Sequence, residues 1–166
     1  MNSSIAELFL AYSVHKLRDM RNCVETCLLE LNDEQVWERK AAHENTIGNL
    51  ILHLCGNIRQ WIMHGVGRET DVRTRDLEFS QNSGLTKAEL LTLFAATITE
   101  AVAVIEALPH ERLLERTDPQ QRGEVSVLDA IYQVVGHVQQ HTGQIILLTK
   151  QMCARDLDLT IPRPRS

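Results

Sequence analysis

The chain has 166 residues, with 17 Lys and Arg against 22 Asp and Glu for a formal net charge of −5, a balance that argues against non-specific nucleic-acid binding, which draws on cations neutralising phosphates. Hydrophobic residues at 43% and charged residues at 23% exclude a wholly disordered or collagen-like chain, and a core of this length needs no disulfide or metal merely to hold together. Aromatics at 4%, with 8 Gly and 4 Pro, leave little material for the tight turns of an all-β fold, so helices are favoured.

The first predicted helix runs from about Ile5 to Leu31, with Leu8, Phe9, Tyr12, Leu17, Val24, Cys27 and Leu28 recurring at three- and four-residue steps. Asn32-Asp33 interrupts it. The second begins near Asn45 or Thr46, either of which suits an N-cap, and continues through Ile47, Leu50, Ile51, Leu54, Ile58, Trp61 and Ile62 to Gly65. The third opens on a capping box, Thr86-Lys87-Ala88-Glu89, and closes at Pro109. The fourth opens on a weaker box, Ser126 to Asp129, and runs to about Met152, leaving residues 154–166 as a short tail.

Four helices, each apolar on one side, are buried most simply as an all-α four-helix bundle, which accounts for residues 1–166 as one domain. The polar connection from Gly65 to Leu85 is long enough to cross the full height of the bundle, so helices 2 and 3 can run parallel and an up-down-down-up order is allowed. The N-terminus lacks a basic region followed by an apolar stretch, and no uncharged apolar run approaches the roughly 20 residues that span a bilayer. The cysteines, Cys23, Cys27, Cys55 and Cys153, form no CxxC and fall mainly in helical patterns, which suits reduced thiols. Together these features predict a cytoplasmic protein with neither membrane nor nucleic acid as partner.

In helix 4, His137 and His141 are four residues apart, so both imidazoles project from one helix face and can converge on one metal ion. His53 flanks the apolar stripe of helix 2 in the same way, with Asn57, Gln60 and His64 on its side. Three neutral imidazoles with a position left to solvent have the composition of a catalytic metal site; the plainer alternative is three polar residues at helix boundaries, hydrogen-bonded or solvated. Zn²⁺ or Ni²⁺ is expected from the ligand type. Cys23 and Cys27 read better as small core hydrophobes than as ligands, and Cys55 points away from His53. His64 lies about 16 Å along the axis from His53, a position for the rim or for solvent. Asn57 and Gln144 flank the proposed ligands and can either position substrate or water or simply line the groove. Glu44 reads as a favourable charge at a helix N-terminus, and His15, His43 and His110 as surface residues.

The stretch Asn45 to Leu54, followed by Gly56-Asn57-Ile-Arg-Gln-Trp61, and the stretch Gly136-His137-Val-Gln-Gln-His141-Thr-Gly-Gln-Ile145 resemble the DinB/YfiT-like superfamily of bacterial metal-binding four-helix bundles. The resemblance implies the up-down-down-up order, one divalent ion held by His53, His137 and His141, and a homodimer. It also implies a range of activities. Some members transfer or isomerise with a low-molecular-weight thiol, others are described as hydrolases, and many have no known activity. The leading expectation is a metal-dependent transferase joining such a thiol to a small electrophile; the alternatives are a metal-dependent hydrolase and a non-catalytic metal-binding or stress-associated protein.

Overall fold

A computed structural model describes residues 3–39, 41, 43–81 and 83–159. Four long helices form the frame: α1 (Ile5–Leu29), α3 (Ile47–Ile58), α5 (Lys87–Glu106) and α6 (Val127–Cys153). Each starts where a side chain satisfies an otherwise free N–H of the first turn. Ser4 accepts from Glu7 ahead of α1, and reciprocal boxes form at Thr46 with Asn49, Thr86 with Glu89, and Ser126 with Asp129. Of the two expected caps for the second helix, Thr46 is the one used. The break at Asn32-Asp33 is itself a cap, because Asn32 and Gln35 box a single helical turn, α2 (Asp33–Val36). The first helix therefore ends at Leu29, two residues short of the expected Leu31.

Beyond Ile58 the second helix continues with a wider turn, π-helical over Arg59–Val66, and the Gly67 N–H donates to the Ile62 carbonyl five residues back. The Gly65 carbonyl accepts from the Thr117 hydroxyl at 2.7 Å, and the Val66 carbonyl accepts from Arg112 at 3.0 Å. Gly65 also lacks the Cβ that would sit 2.6 Å from the Pro119 ring. The connection between α5 and α6 is thus pinned to this stretch. It holds a 3₁₀ turn, His110–Leu114, and a small antiparallel hairpin of β1 (Arg116–Thr117) and β2 (Val125–Ser126). The long second connection carries a short helix, α4 (Arg75–Ser80), packed on α3.

Contacts at the helix ends settle the direction of the frame. The Trp37 indole N–H donates to the Leu85 carbonyl while its ring lies against Gly48, so α3 and α5 begin at the same end. The Lys87 amine reaches the Leu31 carbonyl, and Arg155 pairs with Glu30, so α1 and α6 finish at that end. The order is up-down-down-up. Helices α1 and α3 each pack against both α5 and α6, around a core of fully buried Leu17, Leu28, Ile51, Leu54, Phe94, Ile98 and Ile131, each contributing about 1.5–3 kcal/mol through burial. Among the described residues, Lys87–Glu106 is the one helix long and apolar enough to cross a membrane; here it is packed in the frame, with Leu90, Phe94, Ile98 and Ile105 buried. The expected tail folds back at first, burying Leu157, and from residue 160 onward it lies outside the described residues.

Burial pushes the Cys55 thiol up to about 12 and the Cys27 thiol up to about 11, which suppresses the reactive thiolate. Native protein treated with iodoacetamide near pH 8 is therefore expected to show neither site modified by mass spectrometry, with both modified in denaturant. Rapid native labelling of Cys55 would contradict its packing.

Candidate metal centre

His53, one and a half turns into α3, is only 7% exposed; His137 and His141, on successive turns of α6, are half-buried. One ring nitrogen from each lies within 4.8 Å of the others, and the Nε2 atoms of His53 and His137 are 2.9 Å apart. The rings stand edge to face, with centroids 4.4 to 5.1 Å apart and planes 77° to 88° to one another. An ion bonded to imidazole at about 2.1 Å in tetrahedral geometry needs nitrogens about 3.4 Å apart. That spacing falls within the span these rings cover. Burial, together with the nearby His141, His53 and Arg73 and against the pull of Glu78, lowers the His137 pKa to about 4. Burial also lowers that of His141, against its bond to Gln144. The lone pairs of both are therefore free at neutral pH, as metal binding requires.

The residues behind the histidines fix their orientation. Glu78, on α4, brings Oε2 to 2.9 Å from His53 Nδ1, and Arg73 forks onto the same carboxylate, Nε to Oε1 at 2.7 Å and Nη2 to Oε2 at 2.8 Å. Burial pushes the Glu78 carboxyl up, but the hydrogen bonds and charges of Arg73 and His53 outweigh it and hold the pKa below the usual value. A carboxylate there accepts the Nδ1 proton of His53 and leaves Nε2 facing the cluster, the arrangement common behind metal-binding histidines. Gly56 makes room for it, since a Cβ at that position would lie 2.0 Å from Glu78 Oε1. Phe79 packs on the His53 ring at 4.8 Å.

Neither Glu78 nor Arg73 was assigned a role by spacing or periodicity; the one trace of them is a glycine three residues after His53. Gln144 lies beside the cluster, where its Oε1 accepts from His141 Nδ1 at 2.7 Å; it orients a histidine and does not face substrate. Asn57 lines the cleft over the cluster, is 7% exposed, and its Oδ1 has no partner among the described residues. His64 donates Nδ1–H to the Glu69 carbonyl at 2.6 Å and lines a different cleft, with Arg68 and Glu115. Cys55 is buried and is not part of the histidine cluster. Glu44 accepts from the Ala41 N–H at 3.2 Å, a loop contact ahead of α3. His15, His43 and His110 are exposed. The cleft itself measures about 510 Å³ and opens over His53 and His137.

Residues 4–165 match the profile of a family described as "Protein of unknown function (DUF1572)". No curated protein matches the sequence. Solved structures with a similar fold include a conserved protein of Enterococcus faecalis, at 13% identity and TM-score 0.71 over 93% of this chain and 100% of that one. A DinB-like protein of Bacillus cereus follows at 17% identity and TM-score 0.68, covering 87% and 90%. A DinB-like protein of Bacillus subtilis, YjoA, follows at 16% identity and TM-score 0.65, covering 85% and 91%. At these identities the likeness is one of fold.

Proposed function

The chain belongs to the DUF1572 family, a DinB-like family, and from that premise we propose that it is a divalent-metal-dependent enzyme that joins a low-molecular-weight thiol to a small electrophile. His53, His137 and His141 would hold one ion, Zn²⁺ or Ni²⁺ by ligand type. The observation that carries this reading is the convergence of three imidazoles beside an open cleft that His53 and His137 line. Among the described residues they form the one cluster of metal-ligating side chains, and the nearest carboxylate, Glu78, is engaged behind His53 by Arg73. Three imidazoles and no carboxylate would leave an ion its full charge and room for an external ligand.

When bound, such an ion lowers the pKa of a coordinated thiol or water towards neutrality. The protein's own groups do the rest. Glu78 keeps the Nδ1 proton on His53 and Gln144 does the same for His141. The same reading takes the protein to be a cytoplasmic homodimer. Ile5, Leu8 and Tyr12 are 87%, 59% and 65% exposed on one face of α1 and give a second copy an apolar stripe. A monomeric mass in light scattering would remove that part.

Cobalt substitution tests the enzyme reading. Titrating the Co²⁺ protein with thiols is expected to produce a sulfur-to-cobalt charge-transfer band that His53→Ala abolishes. If water-like anions alter the spectrum and thiols do not, a hydrolase is the better reading. If neither does, the protein binds metal without catalysis.

A further inference from the structure

We infer that the cleft beside the histidines takes a ligand bearing an anionic group, a carboxylate or phosphate, which Arg75 and Arg122 clamp. For the end of the ligand that meets the metal, this rests on the function proposed above. The protein as a whole is acidic, at −5, yet among the described residues no Asp or Glu lines this cleft and three arginines do. Arg73 is consumed by the Glu78 carboxylate. Arg75 and Arg122 have no carboxylate within ion-pair distance among the described residues; Arg75 instead rests its guanidinium 5.1 Å above the Phe79 ring. Two exposed arginines that share a cleft and pair with no carboxylate there favour an anion, and the planar guanidinium fork matches carboxylate and phosphate oxygens.

The position of Arg122 is built into the fold. It sits in the β1–β2 loop between Gln121 and Gly123, whose φ angles are +54° and +124°. The Asp118 carboxylate accepts the backbone N–H groups of both Arg122 and Gly123, at 2.9 and 3.1 Å. Gln120 then ties the loop to the opposite wall by donating to Gln60 Oε1 at 3.2 Å. Asn57 and Trp61 complete the lining of the cleft; the Asn57 Oδ1 and the Trp61 indole N–H are themselves closed off from its space and have no partner among the described residues.

The test has one arm without metal and one with it. In calorimetry on chelator-stripped protein, succinate or inorganic phosphate is expected to bind, with Arg75→Gln and Arg122→Gln each weakening the stronger of the two about five- to tenfold. The comparison of the two anions identifies which group the clamp prefers. In the Co²⁺ protein, mercaptosuccinate is expected to bind about tenfold more tightly than 2-mercaptoethanol. Both variants should lose that advantage while keeping the affinity for 2-mercaptoethanol. Anion binding that depends on both arginines, with no thiol reaching the cobalt, would uphold the clamp and remove the thiol chemistry. Thiol binding that ignores ligand charge, with neither anion sensitive to the two substitutions, would overturn the clamp and leave the thiol chemistry standing.

Discussion

His137→Ala and His141→Ala are each expected to strip the protein of its metal. The wild type should carry about one divalent ion per chain by elemental analysis, because one nitrogen from each of three histidines meets within 4.8 Å and three protein ligands suffice for a solvent-accessible site. Losing one of three direct ligands should lower affinity by more than the roughly 10–100-fold typical of an outer partner. Gln144→Ala, which frees His141 without deleting it, should fall within that smaller range. Circular dichroism after exhaustive chelation should still show a helical protein, since the side chains of the frame are buried against one another and not against the site. Its melting temperature should drop, because an ion that binds only the native state stabilises by mass action. Equal metal content in wild type and variants would dismiss the cluster as the site. Collapse of the helical signal on chelation would make the metal structural.

What was legible in the sequence is what local chemistry determines. The boxes at Thr86 with Glu89 and Ser126 with Asp129 need only four residues each, and both form. The three histidines were found by helical angle, which tertiary packing did not alter, because all three sit well inside long helices. The length of the second connection allowed the order of the bundle without requiring it, and the family resemblance supplied it. The features that escaped depend on contacts distant in sequence. Glu78 meets His53 across 25 positions, and Arg73 across 20; both lie in a stretch that reads as a polar linker until α4 docks. The wider turn over Arg59–Val66 has no side-chain period of its own, and it coincides with bonds from Thr117 and Arg112, about 50 residues away, to the carbonyls of Gly65 and Val66. The hairpin strands, at two residues each, are too short for alternation to reveal. Gln144 was placed on the correct face, but its role required knowing that the His141 ring turns Nδ1 toward it.

Arg73→Met should be among the most destabilising single substitutions in the chain. The Arg73 and Glu78 side chains are 4% and 8% exposed and joined by a two-bond fork, so removing the guanidinium leaves a buried carboxylate with His53 as its remaining partner. Breaking a buried pair from one side costs about 3–5 kcal/mol, whereas replacing both members by apolar groups is often close to neutral. Urea denaturation is therefore expected to show a loss of that size for Arg73→Met and recovery of most of it in the double variant Arg73→Met with Glu78→Met. Metal affinity should behave differently. The double variant leaves His53 Nδ1 without its carboxylate, so competition with a chromophoric chelator should show binding about 10–100-fold weaker than wild type even where stability has returned. A single variant within about 0.5 kcal/mol of wild type, the range of an ordinary surface change, would show that the fork contributes nothing to the fold. A stable double variant with undiminished metal affinity would show that Glu78 does not hold His53 for its ion, and the orientation of that ring would then rest on its packing against Phe79.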